Sequence, residues 1–269
     1  MKHPFFLLTL FVALLCACDK NYEPEVDSIG TLPGKFSVNN GKQVQFSRGN
    51  LQYVGTWQFA EYQWDSFGSD QSDNHRDLFG WGTGNDPQKV STDNNDYATF
   101  SDWGANTITN GGQTAKQWRT LTKDEWVYLF FTRENATTLF ALGSVNGVNG
   151  IIILPDSWEL PAGASFTAST KQGLANNGNY YKNAYGNNFS DNTYNITQWS
   201  VMESAGAVFL PVAGYRNGTG VLNARANGYY WSATPDGGLF AYDIDFDSSY
   251  IGPQNGKGRS GGRSVRLVR

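Results

Sequence analysis

The segment of the sequence that best matches an enzyme motif is residues 258–262, which read G-R-S-G-G and fit the nucleophilic-serine pattern G-x-S-x-G around Ser260. In that pattern the serine lies between a strand and a helix, and an acid and a histidine come later in the chain. Here the residues that follow predict a strand, and His75, the one histidine besides His3, lies far upstream. Residues 256–261 also match G-x-G-x-x-G, but a dinucleotide site needs a helix directly behind the glycines. We therefore predict neither a hydrolase triad nor a nucleotide site.

Three aspartates at alternate positions, Asp243, Asp245 and Asp247, form the pattern D-x-D-x-D. Calcium loops of the EF-hand type begin in this way, but they need glycine at the sixth position and glutamate at the twelfth. Ser248 and Gln254 occupy those positions here. The chain also has no cysteine beyond its first eighteen residues. We therefore predict no metal site, no catalytic thiol and no cofactor.

The same stretch shows the period of two that is typical of a half-buried strand. Ile244 and Phe246 alternate with the three aspartates, which predicts that the apolar side chains point inward and the carboxylates point to solvent. The carboxylates would then form either an ordinary solvated face or part of a ligand-binding surface. Acids for glycoside hydrolysis must face each other across a cleft, so neighbours along one strand do not predict that chemistry.

The composition favours one compact, turn-rich domain. The chain of 269 residues contains 9 Trp, 14 Tyr and 17 Phe beside 31 Gly, a pairing that suits short strands joined by many turns. Its 20 basic and 24 acidic residues give a net charge of −4. This balance predicts no nucleic-acid partner, because such proteins carry a basic surface.

The beginning of the sequence predicts an export signal. Phe5 to Leu15 is apolar except for Thr9, and a run of this length suits a signal peptide but is too short to cross a bilayer. It ends in L-C-A-C, which resembles the lipobox of bacterial lipoproteins. We therefore predict that residues 1–17 are a lipoprotein signal peptide and that Cys18 carries lipid. An ordinary signal with a small-residue cleavage site is the alternative.

A tether and a domain are predicted after the signal. Residues 18–34 contain four acidic side chains and few apolar ones, which predicts a flexible acidic linker. This linker resembles the acidic tether that some Gram-negative lipoproteins use to reach the outer face. With the lipid anchor, that resemblance implies an outer-membrane lipoprotein that is exposed at the cell surface. Residues 35–269 are predicted to form a single domain.

The elements of that domain follow from turn and cap signals. Asn-Asn-Gly at residues 39–41 predicts a hairpin. Thr122 and Glu125 form a capping box, which predicts a helix that continues to Arg133. The remaining predictions are a short helix at 198–204, strands at 148–154, 207–213, 228–233, 239–246 and 263–268, and irregular loops at 55–112 and 165–195.

Two regions resemble a known superfamily. Residues 118–126, W-R-T-L-T-K-D-E-W, resemble the R-L-P-T-x-x-E-W helix start of formylglycine-generating-enzyme (sulfatase-modifying-factor) proteins. Residues 228–234 and 262–269 resemble the closing strands of that superfamily and, more closely, those of lipoprotein variable proteins diversified by retroelements. The resemblance implies an α+β domain of the C-type-lectin-like fold, with short strands, few helices and long loops. The catalytic cysteine pair and the mannose-lectin motifs E-P-N and W-N-D are missing, so neither the oxidation nor calcium-dependent sugar binding is implied.

In the retroelement-diversified family, scattered positions near the carboxyl end vary on a constant scaffold. The resemblance implies a variable ligand-binding region at residues 229–269, with Trp231, Ile244, Phe246 and Val265 as buried scaffold. A surface that mixes aromatic and small polar side chains suits binding. The positions implied to contact ligand are Phe240, Asp243, Asp245, Asp247, Ser249, Tyr250 and Ser260.

Together these features predict a non-enzymatic, surface-displayed protein that binds a protein or glycan ligand. It would be held at the membrane by its lipid and would act as a monomer. Two alternatives remain. One is a divergent enzyme of the formylglycine-generating superfamily, against which the missing cysteines weigh; the other is a fimbrial or adhesin component, which would polymerise.

Overall fold

A computed structural model describes residues 27–169 and 187–269, together with the backbone of Tyr181–Lys182. The predicted signal peptide, the lipidation site Cys18 and the first part of the predicted tether lie outside the described residues. Part of the predicted loop region 165–195 lies outside them as well.

The end of the predicted tether belongs to the folded domain. The Leu32 side chain is fully buried in the core, and its backbone N–H donates to the carbonyl of Phe46 at 2.9 Å. Thr31 forms a bridge with Ser47. The domain therefore begins before residue 35, because Leu32 supplies apolar surface that the core covers.

Two helices lie in the described part of the chain. These are α1, Lys123–Val127, which continues as a π-helical turn over Tyr128–Thr132, and α2, Ile196–Ser204. The strands, in chain order from β1 to β16, are Phe36–Asn39, Lys42–Val44, Leu51–Tyr53, Trp57–Phe59, Arg119–Thr120, Phe140–Val145, Val148–Ile153, Tyr181–Lys182, Thr193–Tyr194, Val208–Pro211, Tyr215–Asn217, Gly220–Leu222, Gly228–Pro235, Phe240–Phe246, Tyr250–Gly258 and Leu267–Val268.

Two four-stranded sheets form the frame of the domain. The first has the order β10-β7-β6-β9 and is antiparallel except for the parallel pair β6 and β9. The second, β13-β14-β15-β8, is antiparallel throughout. The other strands form two-stranded pairs. The described residues thus form a sheet-rich fold with two helices, short strands and no closed barrel, which confirms the coarse part of the predicted fold class.

One apolar cluster lies between the two sheets and α1, and is called the inter-sheet core below. The first sheet contributes Phe140 and Ile151, the second contributes Ile244 and Phe246, and α1 contributes Trp126. All five side chains are at most 1% exposed. Burial of this much apolar surface is the main force that holds the sheets together.

Helix α1 begins at the predicted capping box. The Thr122 hydroxyl accepts from the backbone N–H of Glu125 at 3.2 Å, and the Glu125 carboxylate accepts from the backbone N–H of Thr122 at 2.9 Å. Lys42 and Arg119 also donate to that carboxylate. The predicted second helix is confirmed as well, because α2 covers residues 198–204 and Asn195 caps its first turn.

A second cluster, built from aromatic rings, pins the irregular region at residues 55–112. Trp81 and Trp231 are buried there, and their indole N–H groups donate to backbone carbonyls at 3.0 and 2.7 Å. The prediction of loops fixed by buried aromatics is confirmed, since such rings fill space while their polar edges satisfy loop carbonyls. The large members of this cluster are Trp57, Phe59, Phe79, Trp81, Trp103, Trp118 and Trp231.

The strands differ from the predictions in several places. Strand β4 lies in the predicted loop region 55–112, and β6, β11 and β12 lie where no strand was predicted. Tyr250–Gly258 (β15) is a nine-residue strand that was not predicted either. Gly and Pro are poor strand formers, but tertiary pairing can override that preference. The predicted strand at 263–268 is regular only over Leu267–Val268, although Arg263 and Ser264 make isolated bridges to Phe79 and Tyr230.

Candidate functional site

Strand β14 divides the seven predicted ligand positions into three groups. Phe240 lies at its first end, beside Ser260, because Phe240 pairs with Gly258. Ser249 and Tyr250 lie beyond its other end. At ~3.3 Å per residue the strand spans about 20 Å, so the seven positions do not form one compact patch. We refer to the two ends as the Phe240 end and the Tyr250 end.

The middle of β14 carries a buried ion pair. Asp243 and Arg263 are 0% and 5% exposed, and the Arg263 Nε atom lies 2.6 Å from the Asp243 Oδ2 atom. The guanidinium also lies over the Trp231 ring, 4.2 Å from its centroid. Burial raises the pKa of the Asp243 carboxyl above its ordinary value, while the Arg263 charge acts in the opposite direction. This arrangement is a packed ion pair rather than an open binding surface.

The prediction that the aspartates point to solvent is therefore wrong for Asp243 and Asp245, which are both 0% exposed. The period of two holds, since Ile244 and Phe246 enter the inter-sheet core. The opposite face is covered too, because Arg263 folds over it from a distant segment. A local alternation pattern cannot report such a cover. Trp231, Ile244, Phe246 and Val265 are buried as predicted.

Asp245 supports the residues at the Tyr250 end. Its carboxylate accepts from the Tyr250 hydroxyl at 2.9 Å and from the Asn255 amide, and it lies 3.2 Å from the Lys257 Nζ atom. Burial and the neighbouring Asp245 charge raise the pKa of Tyr250, so the hydroxyl stays protonated and donates. The half-buried Tyr250 ring is thereby held in one orientation.

Asp247 organises the turn between β14 and β15. Its Oδ1 atom accepts from the backbone N–H and the hydroxyl of Ser249 at 2.7 and 2.8 Å, and from the backbone N–H of Tyr250 at 3.1 Å. Asp247 itself is half-buried, whereas Ser248 and Ser249 are exposed. The carboxylate thus fixes the turn that presents these two serines.

An open cleft of about 510 Å³ lies beside this turn. Its floor is a row across three strands of the first sheet, because Ser144 on β6 pairs with Asn149 on β7 and with Thr193 on β9. Paired residues of neighbouring strands point to the same face of a sheet. The described residues that line the cleft are Ser144, Asn149, Asn188, Phe189, Ser190, Thr193 and Ser248. The Tyr250 end therefore forms one wall of a concave site, through Ser248.

The Phe240 end is convex at its tip. Phe240 is 49% exposed and Leu239 is 36% exposed. The backbone N–H of the half-buried Ser260 donates to the Asn94 side chain at 2.9 Å. Arg259 lies over Trp81, 4.4 Å from the ring centroid. A pocket of about 220 Å³ opens nearby, with Trp81, Asp86, Lys89, Asp96 and Tyr97 among its lining residues.

The described part of the chain has neither a metal-binding cluster nor a membrane-spanning helix. No three His, Cys, Asp or Glu side chains are placed there so that they could hold a metal ion. No helix there is both long enough and apolar enough to cross a membrane.

The cleft residues were missed by the sequence predictions although one signal points to them. Asn146 and Gly147 adopt positive φ angles of 49° and 76° between β6 and β7, and Asn-Gly between apolar runs is a strong hairpin signal. That hairpin would have aligned Ser144 with Asn149. The contribution of Thr193 and Ser248 depends on pairing across distant segments and has no local signal.

The comparisons with known proteins give no relative for this chain. It matches no protein-family model, no curated protein and no solved structure. The geometry and chemistry of the site are therefore the basis for the function proposed below.

Proposed function

We propose that this protein is a non-enzymatic binding protein and that its ligand contacts the Tyr250 end of the second sheet together with the adjacent cleft. The observation that carries the proposal is that two carboxylates, one buried and one half-buried, hold side chains that reach the surface. Asp247 fixes Ser249, and Asp245 fixes Tyr250, next to a concave surface. Side chains that are held in place before binding lose little entropy when a ligand arrives.

The domain is proposed to be of the C-type-lectin-like type. Contact between the segments that carry the resemblance supports this assignment. The backbone N–H of Ala233 donates to the Leu121 carbonyl at 2.8 Å, and the backbone N–H of Lys123 donates to the Thr234 hydroxyl at 3.0 Å. The start of α1 and the strand β13 are thus joined directly. On this basis we also propose that residues 229–269 are the variable region.

The protein is proposed to be displayed on the outer membrane through lipid on Cys18. The Cys18→Ala variant should then leave the membrane fraction, because one acylated anchor would be lost. Detergent-phase partitioning of wild-type and variant protein measures this. A variant that stays in the detergent phase would show that lipid on Cys18 does not anchor the protein.

The binding proposal is tested with two matched double variants. Ser249→Ala with Tyr250→Ala changes the Tyr250 end, and Phe240→Ala with Ser260→Ala changes the Phe240 end. Purified protein is applied to one array of extracellular proteins and one array of oligosaccharides. We expect binding that the first double variant loses and the second keeps, with both variants still folded by circular dichroism. The first should melt at a lower temperature, because Tyr250→Ala removes a hydroxyl that donates to the buried Asp245. Binding that is absent, or that depends only on the Phe240 end, would overturn the proposal.

The rival functions give different results. A divergent oxidising enzyme would convert cysteine in a substrate peptide, and a fibre component would elute as a polymer in size-exclusion chromatography. We expect no conversion and a monomer.

A further inference from the structure

The floor of the cleft lies where two apolar rows of the first sheet become polar. Along β6 the side chains that face the inter-sheet core are Phe140 and Leu142, and the next position on that face is Ser144. Along β7 the corresponding row is Ile153 and Ile151, and it ends in Asn149. Apolar residues at these two positions would extend the core. Polar residues at positions that face a core are unfavourable unless they serve a function.

The polar groups of this floor have spare hydrogen-bonding capacity. Ser144 is 9% exposed, and its hydroxyl makes no hydrogen bond with any described residue. The same is true of the Asn149 amide and the Ser248 hydroxyl among the described residues. In an open cleft these groups can bond with water. A ligand that supplies both donors and acceptors would replace that water with direct hydrogen bonds.

The chemistry of the lining indicates what the ligand is. Among the described residues that line the cleft, hydroxyl and amide groups predominate, Phe189 is the single aromatic ring and no side chain is charged. A charged ligand would lose its hydration without gaining a counter-charge. A ligand rich in hydroxyls can both donate to and accept from serine, threonine and asparagine. The volume of about 510 Å³ lies in the usual range of small-ligand sites.

An extended peptide fits this site less well. Peptides commonly bind by adding a strand to the free edge of a sheet. Here the floor is the face of the sheet, and β6 is already paired on both sides, with β7 and β9. The backbone groups of β6 are therefore committed. The edge strand β9 has only two residues, so it offers little backbone for a peptide strand to pair with.

We propose that the cleft formed by Ser144, Asn149, Thr193 and Ser248 binds a neutral saccharide, without a metal ion. This inference rests on the proposed function and names its ligand class. Asn149 supplies amide donors and an acceptor, Ser144 supplies a hydroxyl at the bottom of the cleft, and Phe189 offers an apolar surface to the ring carbons.

The test uses an array of neutral, sialylated and sulfated oligosaccharides, followed by titration calorimetry with the neutral oligosaccharide that gives the strongest signal. Asn149→Ala is compared with Asn85→Ala, which removes the same amide group from the pocket at the Phe240 end. We expect Asn149→Ala to weaken binding about fivefold to tenfold, as the loss of one or two hydrogen bonds implies. Asn85→Ala and added chelator should leave the affinity unchanged.

The possible outcomes separate the inference from the proposed function. Failure of every neutral oligosaccharide to bind, or equal affinity of Asn149→Ala and wild type, would overturn the inference. If proteins or charged oligosaccharides still bind in a way that depends on Ser249 and Tyr250, the proposed binding function is supported and only the saccharide inference is wrong. Loss of binding only in the presence of chelator would show a metal-dependent site instead.

Discussion

The middle of β14 and its Tyr250 end use the same residue type in opposite ways. Asp243 is buried beneath Arg263 and Trp231, so its charge is paired inside the protein. Asp247 is half-buried and holds the backbone and hydroxyl of Ser249 in a turn that faces solvent. Carboxylates at alternate positions of one strand can therefore have different roles. A carboxylate that is covered by other side chains stabilises the fold, whereas one that accepts hydrogen bonds from a surface turn holds that turn in place.

The largest effect expected from this comparison is that of Arg263→Ala. It leaves the Asp243 carboxylate, which is 0% exposed, without its counter-charge, and such losses cost ~3–5 kcal/mol. Denaturant unfolding at pH 7 measures the loss, which should shrink at pH 5 because the raised pKa of Asp243 lets it take up a proton. Asp124→Ala is the control: its side chain is 87% exposed, so its effect should stay within ~0.5 kcal/mol. Equal effects of the two variants would contradict the buried pair.

Asp77 extends the comparison, because it is a buried carboxylate that pairs with no arginine among the described residues. It is 2% exposed and accepts from the Gln71 amide and the Phe67 backbone N–H at 2.6 and 2.7 Å. Burial raises its pKa to about 6, above the ordinary 3.8. The folded state therefore binds this proton more tightly than the unfolded state. Its stabilising contribution is complete below pH ~4 and is lost as the pH rises through about 6.

The loss should amount to ~2–3 kcal/mol, since a tenfold change in acid strength corresponds to ~1.4 kcal/mol. Unfolding free energies of wild type and Asp77→Asn, measured from pH 4 to pH 7, give this contribution as the difference between the two curves. The wild type should lose more stability over that interval. Parallel curves would show that Asp77 does not titrate over this interval.

The smallest expected effect on stability is that of Asp247→Ala at the Tyr250 end. Four hydrogen bonds to the carboxylate are lost, three from the turn and one from the Asn227 amide. The groups released can bond with water, so we expect ~1 kcal/mol. Affinity on the arrays should fall by tenfold or more, because Ser249 is no longer held in place. A variant with wild-type affinity would reduce Asp247 to an ordinary turn residue.

The sequence predicted what is local and missed what is assembled from distant segments. The capping box at Thr122 and the turn at residues 39–41 involve neighbours in the chain, and both are confirmed. The cover over Asp243 comes from Arg263, twenty residues away, and a period of two cannot reveal it. The cleft joins Ser144 with Thr193 and Ser248, which no spacing rule connects. Within the candidate site, exposure was predicted for Ser249, but its carboxylate support was not.

The pairing of the last strand has a consequence for the order in which the protein can form. The N–H and carbonyl groups of Arg269 bond with Gln45, and Leu267 pairs with Thr120 on β5. These contacts join parts of the chain that are synthesised far apart in time, and closing such long loops is slow. While the ribosome is still adding residues 229–269, β5 and the backbone of Gln45 lack the partners they have in the finished fold, although β2 can already pair with β1. The domain therefore closes only after the proposed variable region has been made, so an error in that region affects the whole fold.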